Sequence, residues 1–183
     1  TTLPNNRRDA LINRIKSAIS KNSQVYWVCP LIDESESELI GIEDLEKVLK
    51  KEFDSQDYEI IHGKMKDRDK HQILEDFKDK KTKILLATTV IEVGVDIPDA
   101  NIMVIENSER FGLAQLHQLR GRVGRGEKKS FCILMHSDSL TELSEKRLEI
   151  ITETNDGFVI AEEDLKLRGP GDILGLSQTG QPS

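Results

Sequence analysis

The 183 residues are 37% hydrophobic and 32% charged, which suits one domain with a buried core plus an appendage. A net charge of −7 argues against a generic nucleic-acid binder, whose footprint is basic overall, while leaving contact through a local patch open. No apolar run approaches membrane-spanning length, and the histidines and cysteines lack metal-ligand spacing, so no metal site is assigned.

In chain order, Thr1 reads as the cut edge of a longer protein, with no signal peptide. Arg8 to Lys21 has helical spacing, with Leu11, Ile12, Ile15, Ala18 and Ile19 on one stripe. Val25 to Cys29 is an aromatic and β-branched strand stopped by Pro30. Asp33-Glu-Ser-Glu36 then reads as a surface loop rather than a Mg²⁺ site. Ile42 to Phe53 returns to helical period, and Tyr58 to Ile61 is a strand followed by the loop His62-Gly-Lys-Met-Lys66. Asp67 to Asp79 is a helix burying Ile73, Leu74 and Phe77, with Asp67 as its N-cap. Ile84 to Ala87 and Ile102 to Glu106 are apolar strands of the kind covered on both faces, and Phe131 to Met135 is another. Strands separated by helices imply right-handed crossovers and a parallel sheet, so the lobe is α/β. Cys29 and Cys132 sit in apolar strands and read as reduced core residues of a cytosolic protein.

Positive charge is concentrated from Arg110 to Lys129, where Glu127 is the only acid. Read as a helix at about 100° per residue, this run puts Gln115, Gln118, Arg122 and Arg125 on one narrow face opposite Leu113, Leu116 and Val123. Gly121 and Gly124 within such a helix cost roughly 1 kcal/mol each, which close approach to a ligand or another domain would offset. Two forked guanidiniums and an amide suit a phosphate chain; a solvated basic face is the plain alternative and leaves the glycines unexplained.

Ser139 to Asn155 reads as an amphipathic helix with Arg147 near the middle of its apolar stripe, where the guanidinium needs a polar partner or must snorkel. Asn155-Asp-Gly157 is expected to stop that helix, with Gly157 in the left-handed region. The chain continues through Phe158 to Arg168, which abuts the turn Gly169-Pro-Gly171, and on to Gln178.

Gln118-Leu-Arg-Gly-Arg-Val-Gly-Arg125 resembles QxxGRxGR, the sixth sequence motif of superfamily 2 helicases, and Ala87-Thr-Thr-Val-Ile-Glu-Val-Gly-Val-Asp-Ile-Pro98 resembles their fifth. The resemblance implies a RecA-like second motor lobe with a mainly parallel sheet flanked by helices, using ATP with Mg²⁺ held mainly by a first lobe. It makes Arg122 and Arg125 the catalytic arginine fingers and puts Gln118, Gly94 and Asp96 at the nucleotide edge, although Asp96 also suits a cap before Ile97-Pro98. It assigns contacts along a DNA backbone to His62, Gly63, Thr88 and Thr89, with a locally satisfied turn as the alternative for His62.

The tail narrows the resemblance. Asn155-Asp-Gly-Phe158 and Arg168-Gly-Pro-Gly171, with Tyr26-Trp-Val-Cys-Pro-Leu-Ile-Asp-Glu-Ser35 upstream, resemble the RecG family of branched-DNA helicases more than the transcription-repair coupling factors. That likeness implies a lobe over residues 1–137 and a helical hairpin with a loop over 138–183 that couples ATP hydrolysis to movement of duplex DNA. Arg147, Arg168 and Gln178 then match the coupling arginines and glutamine. Ser177 departs from the family's Gly-Thr-Arg-Gln pattern, so no role is carried to that position.

The partners implied are a first lobe and a fork-reading domain of the same parent chain and branched double-stranded DNA, with single-strand-binding protein a further candidate. A bacterial, cytoplasmic, nucleoid-associated monomer is implied as well. The sequence holds no Gly-x-x-x-x-Gly-Lys-Ser/Thr loop and no acidic box placed for Mg²⁺, so the fragment is expected to be inactive alone. The native C-terminus is expected beyond Ser183. The alternatives are the equivalent lobe of a coupling factor that displaces RNA polymerase, and a degenerate scaffold without catalysis.

Overall fold

The computed structural model describes residues 1–30, 37–88, 100–121, 130–154 and 156–168, the side chains of 37–42 and 168 excepted. Its strands are β1 (Thr2–Pro4), β2 (Val25–Cys29), β3 (Tyr58–Ile61), β4 (Ile84–Thr88), β5 (Ile102–Ile105) and β6 (Phe131–His136). Its α-helices are α1 (Arg8–Ser20), α2 (Ser37–Glu52), α3 (Asp67–Lys78), α4 (Leu113–Arg120), α5 (Glu142–Glu153) and α6 (Gly157–Arg168). The strands form one six-stranded sheet in the order β1-β6-β5-β2-β4-β3, and every neighbouring pair is parallel.

That order explains the layers. The connections running toward the β3 edge, β1 to β2 and β2 to β3, carry α1 and α2. Those running back, β3 to β4 and β5 to β6, carry α3 and α4. One right-handed crossover sense puts the two sets on opposite faces. Side-chain alternation along β2 matches: Val25, Trp27 and Cys29 pack with Leu11, Ile15 and Leu49, while Tyr26 and Val28 pack with Phe77, Leu113 and Leu116. Burial on both faces removes the polar half of each strand pattern, which is why β4 and β5 read as unbroken apolar runs. Helices α5 and α6 follow β6 and add Leu148, Ile151 and Ile160 to the cluster that holds α3 and α4.

Both α1 and α3 end in Schellman closures that the sequence did not advertise with glycine. Ser23 N–H donates to Ala18 O and Asn22 N–H to Ile19 O, with Asn22 at φ 67°; Lys81 N–H donates to Asp76 O and Lys80 N–H to Phe77 O, with Lys80 at φ 63°. The buried Gln24 amide donates to Phe77 O at 2.6 Å and Thr82 O at 3.0 Å, tying the end of α3 to the start of β2.

Several boundaries differ from the sequence expectation. Strand β1 was not anticipated; it is a three-residue edge strand, paired from Thr2↔Leu134 to Pro4↔His136, too short to carry a periodic signal. Helix α2 begins five residues before Ile42, at Ser37. The N-cap of α3 is Lys66, without a side-chain cap, and Asp67 is the first helical residue, where its charge still favours the helix dipole. The long helix from Gly112 to Arg125 stops at Arg120, with Gly121 as the C-cap, so Gly121 ends the helix instead of sitting within it. Helix α5 is shorter than Ser139–Asn155: Thr141 caps it by accepting from Ser144 N–H at 3.1 Å.

Gly157 does not terminate α5 in a left-handed turn. It opens α6, and the Asp156 carboxylate accepts from Phe158 N–H at 2.9 Å. The glycine answers a spatial need: a Cβ there would come within 3.3 Å of His117 Nε2 on α4.

Candidate functional site

The sheet register aligns the residues read as backbone-tracking. Cys29 pairs with Thr88, and Ile61 pairs with Ala87, so His62 follows directly beside Thr88 at the carboxyl edge. Thr88 is the last residue of β4 and is buried. His62 makes a local turn: its Nδ1 accepts from Lys64 N–H at 3.3 Å and its carbonyl accepts from Met65 N–H at 3.2 Å. Gly63 follows it half-buried. Thr89, Gly94 and Asp96, which follow Thr88 in the sequence, lie outside the described residues.

The chain leaves β2 toward one sheet edge and β5 toward the other. The crevice between their carboxyl ends is therefore the topological switch point, the usual ligand position in open α/β sheets. A cavity of 340 Å³ sits there, bounded by Asn5, Arg8, Cys29, Pro30, Glu106 and Asn107 among others. Its floor is a buried carboxylate that the sequence reading passed over. Glu106 is 5% exposed and accepts two hydrogen bonds from the Arg8 guanidinium, at 2.5 and 2.7 Å, and one from Trp27 Nε1 at 3.0 Å. The signal was present as a lone acid closing the apolar strand Ile102–Ile105. Hydrogen bonding to Glu106 raises the Arg8 guanidinium above its ordinary value, against the opposing pull of desolvation.

Desolvation first, with the Glu106 carboxylate adding to it, pushes the Cys29 thiol up to about 12. Desolvation likewise takes Cys132 to about 11. Both thiols are free, as the sequence implied. Since the thiolate is the reactive form, shifts of this size lower the reactive fraction by roughly two to three orders of magnitude from an ordinary thiol near 8.5. Thiol alkylation at pH 8 is expected to leave the buried Cys29 unmodified in the native protein, to reach the half-buried Cys132 slowly, and to label both in denaturant; rapid native labelling of Cys29 would refute the burial argument.

Helix α4 sets the outward row of the Gln/Arg run. Leu113, Leu116 and Leu119 are buried at helical spacing, which leaves Gln115 and Gln118 exposed on the opposite side. Gln115 accepts from Gly112 N–H at 3.1 Å and closes the first turn. Gln118 thus lies on the solvent side of α4, and Arg122 and Arg125 lie outside the described residues. At Gly121 the nearest described atoms to an added Cβ are Gln118 O at 3.5 Å and His117 O at 3.7 Å, ordinary contacts. Packing among the described residues does not explain that glycine.

Of the residues read as coupling, Arg147 is half-buried on α5, and its Nε is sequestered without a hydrogen-bond partner among the described residues. Arg168 is the last residue of α6, while Gln178 lies outside the described residues. The structure adds Arg120, to which the sequence gave no role: its guanidinium donates to Ile151 O and, at 3.0 Å, to Thr154 O, satisfying carbonyls that the end of α5 leaves open. Among the described residues no cluster of three or more His, Cys, Asp or Glu side chains is placed to hold a metal ion.

Residues 6–127 match the helicase conserved C-terminal domain, and residues 154–182 match the C-terminal part of domain 3 of the ATP-dependent DNA helicase RecG. The chain is 51% identical over 176 residues to the ATP-dependent DNA helicase RecG of Pasteurella multocida (strain Pm70), covering 95% of this chain and 25% of that protein. It is 48% identical over 180 residues to RecG of Escherichia coli (strain K12), covering 97% and 26%. The solved structure of RecG bound to a three-way DNA junction superposes with a TM-score of 0.77 at 41% identity, over 94% of this chain and 22% of that one. The chain thus spans about a quarter of the length of these relatives. Its fold is that of a RecA-like helicase C-terminal lobe.

Proposed function

Because this chain belongs to the family of the helicase conserved C-terminal domain, we propose that it is the second motor lobe of an ATP-dependent helicase that remodels branched DNA. The observation that carries this reading is that both regions occur in one chain in order: the helicase match over residues 6–127 is followed by the RecG-type segment from residue 154, at about half identity to RecG across both. The same tail speaks against the coupling-factor alternative. In this reading residues 1–137 form the lobe and 138–183 the translocating appendage.

The triphosphate and its Mg²⁺ are assigned to the preceding lobe of the parent protein. This chain brings charge to the γ-phosphate edge through Arg122 and Arg125, and Gln118, on the exposed side of α4, is assigned to the same edge. A guanidinium suits the task because it stays charged and offers paired N–H donors to phosphate oxygens. Gly94 and Asp96 complete the nucleotide edge. His62 and Gly63 lie at the carboxyl edge along which the DNA backbone would run, the buried Thr88 closes β4 beside them, and Thr89 is assigned to the same backbone contacts by its motif. Arg147, Arg168 and Gln178 convert lobe closure into movement of duplex DNA.

The test is ATP hydrolysis by the full-length parent, with and without a model replication fork, for wild type beside Arg168→Ala and Gln178→Ala. Forked DNA is expected to stimulate hydrolysis in all three proteins, while fork regression proceeds only in wild type. Absence of fork stimulation in wild type would overturn the proposed motor. Loss of hydrolysis and regression together in the variants would remove the coupling assignment alone.

A further inference from the structure

Helix α4 grips the appendage at two points, and neither belongs to the residues assigned to nucleotide, DNA or coupling. Arg120, half-buried, donates to Ile151 O and Thr154 O at the carboxyl end of α5. Those carbonyls lie where a helix exposes unpaired acceptors and negative dipole, so a bifurcated cation there is both a cap and a fixed joint. About one turn earlier on α4, the His117 ring packs against the start of α6: Gly157 leaves only the space for it, since a Cβ would sit 3.3 Å from Nε2. The Nδ1 of this half-buried ring is enclosed as well, without a partner among the described residues.

These two contacts hold either side of the α5–α6 junction, while Gln118, one of the two residues between them on the same helix, faces solvent. A short helix with buried Leu113, Leu116 and Leu119 along its underside transmits displacement as a rigid piece, because packed interiors deform little. From this geometry we propose that Arg120 is a positioning residue. Seated on the carbonyl end of α5 and seconded by His117 against Gly157, it makes α4 and the α5–α6 junction move as one body. Whatever shifts α4 at its Gln118 side then displaces the appendage. This inference rests on the motor reading above and names the joint within it.

The experiment uses the full-length parent at a temperature well below its thermal transition, comparing wild type, Arg120→Ala, Arg120→Lys, Gly157→Ala, His117→Ala and the pair Gly157→Ala with His117→Ala. The readout is junctions remodelled per ATP hydrolysed. Arg120→Ala is expected to keep fork-stimulated hydrolysis within a few-fold of wild type and to lower that ratio at least tenfold. Arg120→Lys, which keeps the charge and loses the planar fork, should fall between. Gly157→Ala removes no hydrogen bond and pushes the junction off His117 by a few tenths of an ångström; it should lower the ratio severalfold, and adding His117→Ala should restore it to the level of His117→Ala alone.

A purely structural cap would lower thermal stability while leaving the ratio at its wild-type value, and that result overturns the proposal. So does a parallel fall of hydrolysis and remodelling in soluble, folded Arg120→Ala. If wild type itself shows no fork-dependent hydrolysis, the motor reading fails first and is identified as the fault by that control.

Discussion

Replacing Arg122 or Arg125 by alanine in the full-length parent is expected to lower kcat for ATP hydrolysis by about a thousandfold or more while leaving fork affinity nearly unchanged. The size follows from the charge that develops on the γ-phosphoryl oxygens during transfer, where a guanidinium supplied across a cleft contributes roughly 10³ to 10⁵ in rate. Fork affinity should survive because it comes mainly from many backbone contacts, including those assigned to His62, Gly63, Thr88 and Thr89 and those of the remaining parent domains. A fall in kcat without a rise in KM marks an interaction made only in the transition state. Lysine at either position retains the charge and loses the paired donors, so it should recover only part of the rate. Near-normal turnover in both alanine variants would remove the finger assignment and restore the plain reading of this run as a solvated basic face.

The sequence announced the layers of this lobe more clearly than its joints. Strands β2, β4 and β5 were visible because burial on both faces makes them continuous apolar runs, and α1 and α3 because one apolar stripe recurs at helical spacing. Leu113 and Leu116 likewise oriented α4 from the sequence, and the structure adds Leu119 to that buried row. What stayed hidden depends on contacts distant in sequence. Gly157 looks like a helix stop in isolation and becomes a helix start because His117, 40 residues earlier, occupies the space of its missing Cβ. Arg120 reads as one more cation in a basic run until the end of α5 arrives to be capped. Of the candidate site, the register put His62 and Thr88 side by side, which no local pattern could have shown. The family motifs, not periodicity, singled out Gly94, Asp96 and Gln178, whereas helical spacing had already grouped Arg122 and Arg125 with Gln118.

Breaking the Arg8–Glu106 pair should cause the largest loss of stability available from one polar substitution at the switch-point crevice. Arg8→Met is expected to destabilise the lobe by about 3 kcal/mol, the lower end of the 3–5 kcal/mol typical when one member of a buried pair is removed. The lower end applies because the Arg8 side chain is 26% exposed whereas that of Glu106 is 7% exposed, so water partly screens the arginine but cannot reach the carboxylate it abandons. Adding Glu106→Gln should recover most of the loss, since the amide removes the stranded charge and keeps an oxygen for Trp27 Nε1, now 3.0 Å from the carboxylate. Glu106→Leu should not, because it leaves the fully buried indole N–H without an acceptor. Native-state hydrogen exchange of β2 and β5 amides in the parent protein measures this directly, and a 3 kcal/mol loss corresponds to exchange about 100-fold faster in those strands. Unchanged exchange in Arg8→Met would mean that Glu106 is held by Trp27 alone. Equal losses in Arg8→Met and in its double variant with Glu106→Gln would instead locate the cost in the packing of the Arg8 stem against the crevice wall, and the pair would then be an incidental feature of the edge between β2 and β5.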